Sequence, residues 1–89
     1  MITVHKYPMP AFPGIHRVEM PRMAEILHVH AQQVAVLCIW ARVSAEDDLV
    51  SWFFQAVETG KEAPPGRYVG TAHFADGDYV LHVFEMNGS

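Results

Sequence analysis

His28-Val29-His30 sets two imidazoles at alternate positions of the chain. On a strand, alternate side chains point the same way, so both rings would project from one face, as half of a metal site does. Such a site needs at least one further ligand. A cupin-like pair is normally followed by a Glu a few residues on, whereas Gln32 and Gln33 come next and no second half-motif follows. A polar, solvent-facing strand side is the plainer account. His73 and His82 form a second constellation. They flank Asp76-Gly77, a dipeptide suited to φ > 0 at both central positions of a type I′ hairpin turn. With that turn, His73 pairs with Val80 and Thr71 with His82. The two imidazoles then lie diagonally on one face, roughly 7–8 Å apart between Cα atoms. A metal, an anion or a water could bridge them. The simpler role for His82 is a half-buried side chain bonded to Thr71 or to backbone.

Other catalytic sets are hard to assemble. Ser44, Ser51 and Ser89 lie in no nucleophile elbow. Cys38, the sole cysteine, sits in the apolar run Val34-Ala-Val-Leu-Cys-Ile-Trp40, where a buried, inert thiol is expected and no intramolecular disulfide is possible. Paired carboxylates occur as Asp47-Asp48 and Asp76/Asp78, all in expected turns. Asp76-Gly-Asp78 is too short for a calcium loop, whose ligands span about twelve residues. Pro65-Gly66 cannot cradle a phosphate. The expectation is a chain that is not an enzyme and holds no cofactor.

The elements that would position these side chains read as short strands joined by turns. Strand signals fall at residues 3–7, 14–20, 25–31, 34–43 and about 50–57, followed by the two runs around Asp76-Gly77. Pro8, Pro10 and Pro13 punctuate a loop, and Pro21 ends the second strand. The run 34–43 is the most apolar and is expected at a sheet centre. Leu27, Val29 and Ala31 share one face against His28 and His30; His16, Val18 and Met20 oppose Ile15, Arg17 and Glu19. Such alternation fits sheets with one buried face. Residues 45–58 carry two competing signals. Ser44-Ala-Glu-Asp47 resembles a capping box, and Leu49, Trp52, Phe53, Ala56 and Val57 recur at helical spacing up to Gly60. The same stretch is rich in Val, Trp and Phe, which favour strand. Seven short strands with frequent turns predict an all-β fold, a small antiparallel β-sandwich or partly open barrel forming one domain over residues 1–89.

Composition narrows the partners. The six Lys and Arg are scattered and the net charge is −4, so the clustered cations that bind phosphate backbones are missing and nucleic acid is not an expected partner. The apolar runs are far shorter than a bilayer-crossing helix and the start lacks a signal-peptide core, so a soluble, cytoplasmic protein is expected. Five Phe, three Tyr and two Trp are a generous supply for the core of an 89-residue domain. A chain this short buries only about 60% of its unfolded surface. The excess points to self-association through aromatic side chains, with Trp40, Trp52 and Phe54 as the candidates.

The order of short motifs resembles a family. Lys6-Tyr-Pro8 comes first, then Met20-Pro21, Ala24-x-x-Leu27-x-Val29, Leu37-x-x-Trp40-Ala41, Glu58-Thr-Gly60, Tyr68-Val-Gly-Thr71 and His82-Val-Phe-Glu85. Over residues 5–85 this pattern is similar to a family of short phage- and prophage-associated proteins of unknown function. Glu58 departs from it, standing where a Gly usually precedes Thr-Gly. His82 fits it, whereas His28 and His30 draw no support from it. The resemblance supports the strand reading of residues 45–58. It implies an all-β accessory protein of a virus or mobile element, acting in the host cytoplasm, and it transfers no catalytic or binding residue.

Three functional expectations follow. The leading one is a non-enzymatic, self-associating module that binds a host or viral protein, counter-defence being one such role. The second is an oligomer holding a small ligand between subunits, near His28, His30, Trp40 and Arg42. The third is a metal-dependent enzyme using His28, His30, His73 or His82.

Overall fold

The computed structural model describes residues 1–32, 36–74 and 79–86. Seven strands follow in order: β1 (Ile2–Pro10), β2 (Gly14–Pro21), β3 (Glu25–Gln32), β4 (Val36–Ser44), β5 (Leu49–Glu58), β6 (Arg67–Phe74) and β7 (Tyr79–Glu85). They form a three-stranded sheet, β1-β4-β3, and a four-stranded sheet, β2-β5-β7-β6, with every pairing antiparallel. The sheets stack as an open sandwich, so the all-β reading holds and the barrel alternative does not. β4, the most apolar run, is indeed the central strand of its sheet.

Alternation builds the core. Leu37, Ile39, Ala41 and Val43 of β4 face Val18, Met20, Trp52, Phe54, Ala72, Leu81 and Val83 of the other sheet, all buried. The β2 alternation is as expected, with His16, Val18 and Met20 inward and Ile15, Arg17 and Glu19 outward. His16 is the buried polar side chain of this layer, and its Nε2–H donates to the Phe12 carbonyl at 2.8 Å. A buried ring nitrogen without that acceptor would cost about 1–3 kcal/mol.

Several expectations are corrected. Pro8 and Pro10 lie inside β1 rather than in a loop. β1 is an edge strand, so a missing N–H on its outer side breaks no ladder. Leu27 does not share the inner face of Val29: the register slips between Ile26 and His28, a bulge that leaves Leu27 outside the pairing and turns Ile26 inward opposite Ala41. The capping-box residues shape a turn instead of a helix. Asp47 N–H donates to the Ser44 carbonyl, Glu46 N–H to Ser44 Oγ, and the Asp47 carboxylate accepts from the N–H groups of Met23 and Asp48. Local side-chain bonding of this kind serves turns as well as helix starts. Beyond the turn, β5 runs unbroken for ten residues. The Asp76-Gly77 turn, with Asp78, lies outside the described residues, as do Gln33, Val34 and Ser89; the register expected of the hairpin is nevertheless present, with His73 opposite Val80 and Thr71 opposite His82.

One edge of the sandwich is pinched. Gly70 of β6 lies against Val29 of β3, and a Cβ at position 70 would fall 2.7 Å from Val29 Cβ and 2.9 Å from its Cγ2. The adjoining slip in β6, between Tyr68 and Gly70, aims the glycine at this contact. Gly70→Ala is therefore expected to cost about 1–3 kcal/mol in urea unfolding, the usual penalty of overpacking. Adding Val29→Gly, which removes both the Cβ and the Cγ2 in the way, should recover part of that loss, so the double variant is more stable than the sum of the singles. Strict additivity would show that the two positions do not touch.

Candidate functional site

Three neighbourhoods bear chemistry, set apart by the sheets. The first is the outer face of the three-stranded sheet. His28 and His30 project from β3 side by side, as the alternation requires, with ring centroids 5.7 Å apart. Trp40 of β4 lies 5.8 Å from His28, and Arg42 pairs with Glu25 at 3.1 Å. The residues expected to line a ligand site thus do share one face. Among the described residues, no three His, Cys, Asp or Glu side chains gather as a metal-binding set. Cys38 sits on this face yet is fully buried; its thiol donates to Gln32 Oε1 at 3.4 Å, and the same oxygen accepts from Lys6 Nζ at 2.7 Å. That cover keeps the thiol from solvent.

The second neighbourhood is the outer face of β6 and β7. His82 is held at both ring nitrogens: Nε2 bonds Thr59 Oγ1 at 2.7 Å and Nδ1 bonds Thr71 Oγ1 at 3.0 Å. Tyr68 OH extends the chain to Thr71 Oγ1 at 2.6 Å. One proton on the imidazole suffices. If Nε2–H donates to Thr59, Nδ1 accepts from Thr71, whose oxygen then accepts from Tyr68. The expected half-buried His82 bonded to Thr71 is what the structure contains. Both ring nitrogens of His82 are thus engaged by hydroxyls, while His73 stands exposed on the same face. The network clamps the 59–66 connection onto the sheet. Gly60, at φ 92°, turns that connection back, and Lys61 N–H donates to the Glu58 carbonyl. Only a residue at ease with positive φ suits the turn.

The third neighbourhood is the side where β1 and β2 part. Burial along β1 fades from Met9 towards the start of the strand: inward-facing Tyr7 and Thr3 are half-buried and His5 is exposed. Here a cleft of about 450 Å³ opens between the sheets, with His5, Tyr7, Glu19, Pro21, Val43 and Leu49 among its walls. That volume suits a small ligand or a few inserted side chains. Burial at this cleft pushes the Tyr7 hydroxyl above the usual phenol range. Apolar side chains stand exposed around it and beside β2, with Leu49 65%, Ile15 62% and Phe53 40% accessible.

The aromatic candidates divide. Trp52 and Phe54, expected at a partner surface, point inward: they are 6% and 0% exposed, and their rings stack 6.0 Å apart. The Trp52 indole N–H donates to the Pro21 carbonyl at 3.1 Å, so even its polar end is committed within the chain. The expectation is corrected for these two, because the sheet face that carries them meets the other sheet. Trp40 remains half-buried on an outer face. Thr3, His5 and Tyr7 went unremarked in the sequence. Their signal was present: an edge strand whose core-facing positions turn polar does not meet a closed core.

These features define an open antiparallel β-sandwich, pinched along one edge and cleft along the other. The chain belongs to the family described as a domain of unknown function (DUF7352), whose model matches residues 1–89. No curated protein and no solved structure matches the chain. Among the described residues, no helix is long and apolar enough to cross a membrane.

The site geometry carries two expected outcomes. His82→Ala should cost about 1–2 kcal/mol, through two lost hydrogen bonds, and should raise amide exchange across residues 59–66 before it affects the core; unchanged exchange there would dismiss the clamp. For Tyr7, the folded chain keeps a phenolic proton that the unfolded chain releases. The stability this contributes is whole below about pH 10 and is lost as pH rises through the folded value. The Tyr79 hydroxyl is also raised, by burial and by its bond to the Glu58 carboxylate, so ultraviolet titration should show Tyr7 and Tyr79 ionising late, and Tyr7→Phe should remove one of the late steps and flatten the alkaline fall in stability.

Proposed function

We propose that this chain is a non-enzymatic binding module that works as a homo-oligomer and engages a host or viral protein through its cleft side. The observation carrying the proposal is the set of exposed apolar side chains on β2 and β5, Ile15, Phe53 and Leu49, the last of which lines the opening between β1 and β2. Surfaces of this kind on small domains are favoured for contact with other proteins. The motif order shared with short phage- and prophage-associated proteins supports an accessory role in the cytoplasm of an infected host, counter-defence included.

A second reading rests on the cleft itself. Its volume, the apolar walls of Val43 and Leu49 and the polar groups of His5, Tyr7 and Glu19 fit a small ligand. On this reading the pocket lies away from His28, His30, Trp40 and Arg42.

The decisive test is capture of the tagged protein from host lysate, run beside Ile15→Asp and Leu49→Asp. Binding of one stoichiometric partner by the parent chain and its loss in both variants is expected. Stability should stay within about 0.5 kcal/mol of the parent, since both positions are exposed. Capture that survives both changes would place the contact elsewhere. A melting rise with a metabolite panel, abolished by His5→Ala, would favour the ligand reading.

A further inference from the structure

The two sheets end in four edge strands, β1, β3, β2 and β6. Three are blunted against further pairing. β1 carries Pro8 and Pro10, β3 slips register between Ile26 and His28, and β6 slips between Tyr68 and Gly70. β2 is different. It pairs residue for residue with β5 from Gly14 to Pro21 without a slip, and its proline comes only at the end. Among the described residues its other edge pairs with no strand.

We infer that β2 pairs antiparallel with β2 of a second copy, in the register centred on Val18. Charge complementarity selects this register. A two-fold axis normal to the sheet keeps every side chain on its own face, and the registers that pair the most of β2 centre on Arg17 or Val18, those to either side pairing less of the strand. Centring on Arg17 sets that guanidinium against its own copy, and centring on Glu19 opposes two carboxylates; like charges directly opposite are destabilising. Centring on Val18 places Arg17 opposite Glu19 of the partner subunit, twice by symmetry, and Ile15 opposite Pro21 of the partner subunit. Arg17 and Glu19 are both exposed on the outer face, and Glu19 still has a carboxylate oxygen beyond the one that accepts from Ser51. The pairing joins the two four-stranded sheets into one and brings the two clefts together across the axis. It is isologous, the form most closed dimers take.

This inference rests on the self-association proposed above, and the experiment separates the two. Sedimentation equilibrium is run on the parent chain, on Arg17→Glu, on Glu19→Arg and on an equimolar mixture of the two variants. The parent is expected to dimerise. Each variant alone opposes like charges at both pairs and should dimerise at least about ten-fold more weakly. In the mixture, the carboxylate introduced in one variant faces the guanidinium introduced in the other. The unchanged Arg17 and Glu19 form the second pair, so a heterodimer near parental affinity should be recovered. Circular dichroism checks that both variants stay folded. An oligomer that persists unchanged in both variants, or a mixture that fails to recover, overturns the β2 register while leaving self-association through another face. A parent chain that stays monomeric to about 1 mM overturns both.

Discussion

A sheet of three strands and a sheet of four cannot cover one another evenly, and much else in this molecule follows from where the mismatch falls. Along β3 and β6 the layers close until only a glycine fits: Gly70 lies on Val29 with no room for a Cβ. That contact sets the spacing at one edge. The unequal strand count is then expressed at the other edge, between β1 and β2, where inward-facing side chains become half-buried or exposed and the cleft opens. Evenly matched layers would hide Tyr7 and His5. Here they line an accessible surface.

Polar groups divide according to the same geometry. Deep in the sandwich they are satisfied locally: His16 by the Phe12 carbonyl, the Trp52 indole by the Pro21 carbonyl. On the outer faces, side-chain networks hold segments in place. The chain Tyr68–Thr71–His82–Thr59 clamps a connection onto its sheet, and Lys6 and Gln32 close over the Cys38 thiol. The exposed ion pair of Arg42 and Glu25 adds little stability, since solvent screens it and both side chains lose freedom.

Edge strands connect architecture to association. An unpaired edge presents backbone donors and acceptors to any passing strand, and proteins blunt such edges with proline, bulges and charge. β1, β3 and β6 show the first two devices. β2 carries charge instead, and its two charges alternate in sign along one face. Such a pattern rejects most neighbours and suits a copy of itself.

Much of this fold was legible in the residues alone. Alternation in β2, the apolar run of β4, the turn-forming dipeptide after Phe74 and Pro21 at the end of β2 marked most of the strands, because the period of a half-buried strand is written directly in side-chain polarity, whereas residues 45–58 carried helix and strand signals together. The pairing of Thr71 with His82 followed from the hairpin register by the same logic. Other features depended on which surfaces meet. Trp52 and Phe54 are as suited to an interface as to a core, and only the stacking of the second sheet decided that they are core. A bulge at Leu27 exchanged its place with Ile26, a shift that polarity alone does not encode because both residues are apolar. Strand order left β2 at an edge, and the near contact of Gly70 with Val29 chose the side on which the sandwich opens. Local chemistry determined the strands; long-range packing decided which of their faces the protein keeps and which it offers.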